Sequence, residues 1–342
     1  MRNTELYNML DAYPRFVLLA GRTPLEKLHR LSAELPVELY IKRDDLTGIA
    51  AGGNKNRKLE YLIGLAREEG ADTLLTAGWY HSNHALQTAA AAGRAGMKAI
   101  LFLKGKPCYR GSLYLDRLAG ADIRFYDAPS SSALMPYMVE TAEALKKEGK
   151  KPFIIPVGGS NKTGALGYVR TAAEIAAQCE EQGLNLDYIV CPTSSGGTQA
   201  GLTLGVRECL PRTKVLAIGV GDDREEVLTD VYNLLQDLSV LLQRESWDRD
   251  MLACATVTDY GFGAYGKLDP KVTELIRYLG AREGIFLDPV YTGKAFFGMM
   301  DLIRTGQIPP ESRVCFVHTG GLSSLFQYEE ELNAHLDALR YP

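Results

Sequence analysis

A lysine stands where a glycine-rich turn passes into a predicted helix, in the segment GGNKNRKLEYL at residues 52–62. The positive end of the helix dipole and a second cation, Lys58, both disfavour the charge of Lys55 and would lower its pKa. A lysine held partly neutral is a nucleophile that can form a Schiff base with a carbonyl group. The competing interpretation is a solvated surface charge, and this segment alone does not exclude it.

A second polar turn lies in CPTSSGGTQAGL, residues 191–202, between a predicted strand and a predicted helix. Its small residues, Ser194 to Thr198, would let a ligand approach the free amides of a helix N-terminus, which bind phosphate. The alternative is a plain turn with helix-capping residues. The segment is not G-x-G-x-x-G and lacks the P-loop lysine pattern, so neither a dinucleotide nor a nucleoside triphosphate is favoured.

A third turn, in TAGWYHSNHALQTAA at residues 76–90, places Ser82, Asn83 and His84 at a predicted helix start. Asn83 could serve only as a helix cap. His81 and His84 could form a metal-binding pair, but no carboxylate or cysteine is close in sequence to complete the ligand set. We therefore predict no metal site.

Two late segments repeat this arrangement. FLDPVYTGKAF, residues 286–296, is predicted to place Tyr291 and Thr292 at a helix start after a short strand. VCFVHTGG, residues 314–321, is predicted to end a strand at Thr319 and two glycines. Five polar, glycine-containing turns at strand ends or helix starts predict a small-molecule site.

The elements that must position these turns are short apolar runs alternating with helical patterns, which is typical of parallel α/β structure. Strands are predicted at ELYIKRD, DTLLTAG, KAILFLKG, DIRFY, PFIIPVG, DYIVCP, KVLAIGV and RVCFVHTGG. Helices are predicted at NKNRKLEYLIGLAREEG, NHALQTAAAAGRAG, around Leu113 to Leu118, and at 132–149, 164–182, 198–210, 224–243, 270–280 and 291–305. These strands are too many for one compact sheet, so we expect two open, twisted, mostly parallel sheets flanked by helices.

Composition argues against several classes of partner and location. The 342 residues are 46% hydrophobic and 23% charged, and the net charge of -4 argues against a nucleic-acid partner. No apolar run is long enough to span a membrane, and MRNTELYNMLDAYPRF lacks the apolar core of a signal peptide. We expect a cytoplasmic protein without a membrane partner. The six cysteines are scattered, which predicts neither a disulfide framework nor a zinc site.

Five segments together resemble one enzyme family in order and spacing: GGNKNRKLEYL, HSNHALQTAAAA, SSGGTQAGL, LDPVYTGKAF and HTGG. The family contains the D-cysteine desulfhydrases and 1-aminocyclopropane-1-carboxylate deaminases, and the resemblance runs from RTPLEKLHRLS to HTGG. It implies a pyridoxal 5'-phosphate enzyme of fold type II, the tryptophan synthase β type, with the cofactor in a cleft between domains. We expect a large domain from 1–49 and 163–342, a small domain from 50–162, and a homodimer.

The resemblance implies a role for each matching residue. Lys55 would bind the cofactor covalently, and Asn83 would hydrogen-bond its phenolic oxygen. Ser82 would contact the substrate carboxylate and take part in proton transfer, and Tyr265 and Tyr291 would line the reacting face. The cofactor phosphate would be held by Lys58, Ser195, Gly196, Gly197 and Thr198. The expected substrate contacts are Ser82, Asn83, His84, His81, Tyr265 and Tyr291.

Two threonines bear on the substrate. The deaminases of this family carry Glu in DPVYEGK and Leu in HLGG, where this chain has Thr292 and Thr319. A carboxylate stabilises a protonated pyridine nitrogen, whereas a hydroxyl can donate to a neutral one and leaves a weaker electron sink. A weaker sink suits rapid loss of a β-leaving group such as sulfide. The threonines therefore favour β-elimination from D-cysteine, giving pyruvate, sulfide and ammonia.

Other activities stay open. Many desulfhydrases have QSNH where this chain has His81 preceded by Trp79 and Tyr80, which changes the substrate-side wall. A lyase acting on cysteate and a 1-aminocyclopropane-1-carboxylate deaminase are alternatives within the enzymes. A pyridoxal phosphate-binding protein without turnover is the alternative outside them, and the combination of Lys55 with two tyrosines argues against it.

Overall fold

The structure, a computed structural model, describes residues 3–221 and 223–338. Its strands are β1 Leu25–Lys27, β2 Glu38–Lys42, β3 Thr73–Trp79, β4 Lys98–Lys104, β5 Asp122–Tyr126, β6 Pro152–Ile154, β7 Tyr188–Thr193, β8 Lys214–Gly219, β9 Thr256–Val257 and β10 Arg313–Val317. Its α-helices are α1 Asn3–Asp11, α2 His29–Glu34, α3 Lys55–Glu68, α4 Asn83–Arg94, α5 Gly111–Leu118, α6 Met135–Lys147, α7 Lys162–Gln182, α8 Gly197–Cys209, α9 Arg224–Leu241, α10 Arg249–Cys254, α11 Pro270–Glu283, α12 Thr292–Arg304, α13 Leu322–Gln327 and α14 Glu329–Ala338.

The first sheet has the strand order β1-β2-β10-β7-β8-β9. Strand β1 runs antiparallel to β2, and the other neighbouring pairs are parallel. The central strands are apolar and almost fully buried because helices cover both faces of a parallel sheet. Val190 on β7 and Phe316 on β10 belong to the same core as Phe296 on α12.

The second sheet has the order β5-β4-β3-β6, and its described pairs are all parallel. Its strands lie between residues 73 and 154. Alanines along one face of α4 pack with Leu101 and Leu103 of β4 in a core that also includes Leu59 and Leu62 of α3. The prediction of two open, mostly parallel sheets is confirmed. The domain boundaries at residues 50 and 162 stay a prediction.

One predicted strand is wrong. Residues 285–290, which precede the Tyr291 turn, have no strand conformation. The segment IFLDPV is apolar at most positions, but Pro289 has no amide hydrogen and Asp288 turns its carboxylate back onto the amides that follow. Both features oppose pairing in a sheet.

Helix α3, which carries both candidate lysines, is fixed by a buried ion network. Arg57 donates to Asp44 at 2.7 Å and to Glu174 of α7 at 3.0 Å. Lys42, at the end of β2, donates to the same Glu174 at 2.6 Å. Gly167 of α7 lies so close to α3 that a Cβ would stand 2.2 Å from the Arg57 carbonyl oxygen. Charge pairing and close backbone contact therefore fix the position of α3 relative to the first sheet.

Within residues 3–221 and 223–338, no helix has the length and apolar character needed to cross a membrane.

Candidate active site

A cleft of about 630 Å³ opens between the carboxyl ends of the strands of the two sheets. Turns that follow β3, β7 and β10 line it, as does the start of α3. The structure brings most of the predicted site residues to its wall: Lys55, Lys58, Ser82, Asn83, His84, Ser195, Gly196, Gly197, Thr198, Tyr265, Tyr291 and Thr319. His81 and Thr292 are instead buried, with 3% and 0% of their surface exposed, and they support the wall from behind.

Lys55 is the first residue of α3 and is partly exposed, whereas the residues on either side of it are buried. Its Nζ donates to Asn54 Oδ1 at 3.0 Å. Although part of the residue is exposed, surrounding protein atoms desolvate its amine and lower the pKa of Lys55 to about 8, and the carboxylate of Asp288 opposes part of that shift. A useful fraction of this amine is therefore neutral and nucleophilic near neutral pH.

Asn54 connects three parts of the site. Its Nδ2 donates to Thr198 Oγ1 at 2.9 Å, and its backbone amide donates to the Thr319 carbonyl oxygen at 3.0 Å. Because Thr198 accepts from Asn54, its own hydroxyl hydrogen is left to donate into the cleft. Asn54 thus ties the Lys55 turn to the turns after β7 and β10.

The turn at the start of α8 forms a cradle with a second turn, 158–160. Ser195 Oγ is 2.8 Å from Ser160 Oγ, and Lys58 Nζ donates to the Gly158 carbonyl oxygen at 3.1 Å. A Cβ on Gly197 would stand 2.8 Å from Lys58 Nζ, so only glycine leaves this space open. The cradle therefore combines a lysine amine, serine hydroxyls and the first amides of a helix, the donors that a phosphate group requires.

Lys58 is fully enclosed, and burial together with the nearby charge of Lys55 holds its pKa well below the usual range. An anion in the cradle would reverse part of that shift because an opposite charge favours the protonated amine. The charged form of Lys58 is therefore most stable when a negative group is bound in the cradle.

The turn before α4 presents two polar side chains to the cleft. Ser82 caps the helix by accepting from the Ala85 amide at 3.2 Å, which leaves its hydroxyl hydrogen to donate. Asn83 Oδ1 accepts from Ser323 Oγ at 3.2 Å. His84 Nε2 is 2.8 Å from Thr76 Oγ1, so this ring nitrogen is engaged within the fold.

Two tyrosines lie side by side on the wall of the cleft. The hydroxyl groups of Tyr265 and Tyr291 form a hydrogen bond, and the rings meet edge to face with centroids 5.6 Å apart. Lys294 fixes the loop before Tyr265, because its buried Nζ donates to the carbonyl oxygens of Gly261 at 2.8 Å and Ala264 at 3.0 Å. The ring of His81 stacks on Tyr265 with an interplanar angle of 17°.

Thr292 is committed to Asp288. Its hydroxyl donates to Asp288 Oδ1 at 2.7 Å and accepts from the Asp288 amide at 2.8 Å. The same carboxylate accepts from the amides of Val290 and Tyr291. Burial raises the pKa of Asp288, and these hydrogen bonds oppose the shift. The Thr292 hydroxyl thus already has a donor and an acceptor in Asp288. The predicted hydrogen bond from Thr292 to a pyridine nitrogen would compete with these two bonds.

Sequence reasoning missed Asn54, Ser160, Asp288 and Lys294. Gly158, Gly159 and Ser160 follow a strand as the other glycine turns do, so the same signal could have found them. Asp288 lies in FLDPVYTGKAF, but the apolar residues around it predict a strand and hide its role in a turn. Nothing in the sequence near Lys294 indicates that it binds backbone carbonyls some thirty residues away.

The part of the chain that the structure describes contains no group of three or more histidine, cysteine or carboxylate side chains arranged to hold a metal ion. Each histidine of the 81–84 turn has its own partner: His81 Nε2 is 3.3 Å from the Tyr328 hydroxyl, and His84 contacts Thr76.

Comparison with known proteins agrees with this geometry. The model of the pyridoxal-phosphate dependent enzyme family matches residues 17–320. A crystal structure of a 1-aminocyclopropane-1-carboxylate deaminase homologue superposes with a TM-score of 0.91 at 44% identity, covering 96% of this chain and 98% of that chain.

Two curated relatives carry different activities in their names. A Pyrococcus abyssi protein named provisionally as a 1-aminocyclopropane-1-carboxylate deaminase is 45% identical over 95% of this chain and 96% of its own. A Klebsiella pneumoniae D-cysteine desulfhydrase is 38% identical over 94% of this chain and 98% of its own. The relative with the higher identity thus carries the deaminase name, which favours that alternative over the D-cysteine prediction.

Proposed function

Because this chain belongs to the family of pyridoxal-phosphate dependent enzymes, we propose that it is a lyase that releases ammonia from a small amino acid. The observation that carries the proposal is the position of Lys55, a lysine of lowered pKa at the open end of a glycine turn that faces the cradle of α8. Pyridoxal phosphate, when bound, withdraws electron density from the α-carbon of the substrate.

The described residues fit this cofactor. Lys58, Ser195, Gly197 and Thr198 surround a space lined by hydrogen-bond donors, which suits the phosphate. Lys55 reaches the same cleft and would bind the cofactor carbonyl carbon covalently. Two unlike requirements, a phosphate cradle and a nucleophilic amine, are thus met within one cavity.

Proton transfer at the substrate would use groups on the cleft wall. Ser82 has a hydroxyl hydrogen available for the substrate carboxylate, which would orient the α-carbon bonds. The Lys55 amine, in its neutral form, would accept a proton from the substrate carbon or return one to it. The linked hydroxyls of Tyr265 and Tyr291, which also line the cleft, can supply a proton.

The first candidate substrate is 1-aminocyclopropane-1-carboxylate. It is supported by the names of the Pyrococcus abyssi relative and of the matching crystal structure. The reaction opens the ring and adds water, giving 2-oxobutyrate and ammonia. The Asp288 carboxylate does not line the cleft itself, but it accepts the Thr292 hydroxyl hydrogen behind the wall, at the position where the deaminases carry Glu.

D-cysteine is the second candidate, and a specific observation favours it. Thr292 and Thr319 occupy positions where the deaminases carry Glu and Leu, so no carboxylate side chain stands at position 292 itself. The reaction breaks the β-carbon–sulfur bond and adds water, giving pyruvate, sulfide and ammonia. Cysteate, with sulfite as leaving group, belongs to the same reaction class.

One experiment tests both candidates. Purified holoenzyme is incubated in parallel with 1-aminocyclopropane-1-carboxylate, D-cysteine, L-cysteine and cysteate, and 2-oxobutyrate, pyruvate, sulfide and sulfite are measured. The ratio of kcat/KM values ranks the substrates. A bound cofactor whose visible spectrum responds to none of these amino acids, with no keto acid released, would instead identify a cofactor-binding protein without turnover.

A further inference from the structure

The segment from Leu322 to Tyr328, formed by α13 and the residue after it, connects the two halves of the cleft. It follows β10 of the first sheet, yet α13 packs on α5 beside the second sheet. Helix α14 then packs on α11 at the first sheet. On its way this segment contacts the 81–83 turn twice, through Ser323 and Tyr328.

The first contact sets the orientation of an amide. Ser323 Oγ donates its single hydrogen to Asn83 Oδ1 at 3.2 Å. Ser323 Oγ is also 2.8 Å from Ser112 Oγ of α5, and because its own hydrogen is used, Ser112 must be the donor in that pair. Ser112 and Ser323 are buried, with 0% and 5% exposure, so the bond between them is shielded from water, whereas Asn83 is partly exposed to the cleft.

This direction of donation has a consequence for the cleft. With Oδ1 of Asn83 held by Ser323, the opposite side of the amide, Nδ2, is left to donate to a ligand. A cofactor oxygen that carries negative charge requires a donor at that point. If the amide were reversed, a carbonyl oxygen would face the ligand and repel it.

The second contact fixes a ring. The Tyr328 hydroxyl is 3.3 Å from His81 Nε2. Burial raises the pKa of Tyr328 and lowers that of His81 to about 4, so both groups are neutral at neutral pH and one hydrogen lies between the phenol oxygen and Nε2. Gly266, with φ of +73°, leaves room for this pair, because a Cβ there would stand 3.1 Å from the Tyr328 hydroxyl oxygen.

The fixed ring of His81 in turn supports Tyr265. The two rings stack with centroids 5.9 Å apart, and Trp79 packs against both at 5.8 and 5.6 Å. Rotation of the His81 ring would remove the flat surface on which Tyr265 lies. The Tyr328 hydroxyl therefore acts on the cleft through His81 and not by direct contact with a ligand.

We infer that Ser323 and Tyr328 are positioning residues of this active site, Ser323 directing the Asn83 amide toward the cofactor and Tyr328 holding His81 beneath Tyr265. The inference rests on the proposed cofactor site. It assigns a role in the site to a segment that lies outside the glycine turns.

Ser323→Ala tests the first contact, and Ser324→Ala is its matched control. Ser324 lies next in the same helix, is 1% exposed, and has a buried hydroxyl without a hydrogen-bond partner. Reconstituted Ser323→Ala should bind pyridoxal phosphate about three- to tenfold more weakly and shift the pH midpoint of its visible absorption band. Ser324→Ala should match the wild type, and Ser323→Thr, which keeps the hydroxyl, should restore affinity. Equal behaviour of the two alanine variants overturns the assignment.

Tyr328→Phe tests the second contact, with Tyr114→Phe at a half-exposed position of α5 as control. Nitrogen-15 NMR of protein labelled in its five histidines should show the His81 Nε2 signal move in Tyr328→Phe and stay in place in Tyr114→Phe. Turnover of the preferred substrate should fall about three- to tenfold in kcat, with cofactor affinity unchanged. An unmoved His81 signal overturns the assignment. If no substrate is turned over, the proposed reaction fails, while the cofactor and NMR readouts still decide this inference.

Discussion

At the scale of single residues, the site holds two lysines in surroundings that disfavour their charged forms. Lys55 and Lys58 both enter α3 with their charges disfavoured, and both face a cradle built for an anion. The lysine and the polar turns could be predicted because a glycine turn before a helix has a local signature. The contacts of Asn54 could not be predicted, because its partners Thr198 and Thr319 are distant in sequence. Those of Asp288 could not be predicted either, because its segment is mostly apolar and gives no sign of a turn.

Lys55→Ala should abolish covalent cofactor binding and turnover while leaving the fold intact. Alanine has no amine to attack the cofactor carbonyl, and the residue is partly exposed, so its loss leaves no large cavity. Absorption spectroscopy of the purified variant should show no band of covalently bound cofactor, and circular dichroism should match the wild type. A wild-type visible spectrum would rule out Lys55 as the attachment point.

The lowered pKa of Lys55 predicts a pH dependence for cofactor uptake. The neutral amine is the reactive form, so the rate at which apoenzyme binds pyridoxal phosphate covalently should rise with pH and level off above about pH 8. An ordinary lysine would give a rate that rises until about pH 10.4. Stopped-flow absorbance across this range distinguishes the two curves.

Thr292→Val should destabilise the protein by about 1–3 kcal/mol, because the buried Asp288 carboxylate loses one donor and the Asp288 amide loses its acceptor. Thr292→Ser keeps the hydroxyl and should cost much less. Urea unfolding of both variants measures the difference. Equal stability of valine and serine would mean that the hydroxyl of Thr292 contributes nothing to Asp288.

At the scale of elements, long periodic segments were predicted well. The helix predicted at 164–182 is α7, Lys162–Gln182, and that predicted at 291–305 is α12, Thr292–Arg304. Short strands such as β1 and β9 could not be predicted, because two or three residues show no periodicity and only pairing with a neighbouring strand defines them. Segment 285–290 shows the opposite error: its apolar residues predict a strand, but Pro289 and Asp288 prevent strand pairing.

Helix α8 offers a controlled test of the phosphate cradle. Thr198→Val removes a hydroxyl that can donate to phosphate, and cofactor binding should weaken by about 1.5–3 kcal/mol, which is about 10- to 140-fold in Kd. Thr203→Val, in the same helix, removes a buried hydroxyl without a partner and should leave Kd unchanged. Equilibrium dialysis with pyridoxal phosphate measures both. A similar Kd for the two variants would place the phosphate elsewhere.

At the scale of the whole molecule, the buried network of Lys42, Asp44, Arg57 and Glu174 joins β2, α3 and α7 beneath the cleft. Removing one member leaves the others as uncompensated buried charges. The general architecture of two parallel sheets followed from the alternation of strands and helices. This network did not, because its members are scattered over more than a hundred residues and look like ordinary surface charges in the sequence.

Glu174→Gln should destabilise the fold by about 3–5 kcal/mol near pH 7. Burial opposes ionisation of Glu174, but Arg57 and Lys42 prevail and lower its pKa to about 2. A carboxyl with a lowered folded-state pKa stabilises above its unfolded value of 4.5, and this contribution is lost as the pH falls toward 2. The difference in unfolding free energy between wild type and variant should therefore shrink between pH 4.5 and 2.

Glu180→Gln, at an exposed position of the same helix, is the control for this measurement. It should change stability by less than about 0.5 kcal/mol at every pH. A difference between wild type and Glu174→Gln that stays constant down to pH 2 would show that the carboxylate charge does not stabilise the network.

The strand order of the first sheet bears on how the chain folds while it is being synthesised. Strand β10, Arg313–Val317, lies between β2 and β7, so the ribosome must translate nearly the whole described chain before this sheet can close. The strands of the second sheet, residues 73–154, emerge in succession and can pair early. Until β10 arrives, β2 and β7 each lack a neighbour and expose apolar edges that invite aggregation. Nascent chains arrested before residue 313 should therefore depend on chaperones and bind no cofactor, whereas chains that include β10 and the turn after it can complete the cleft.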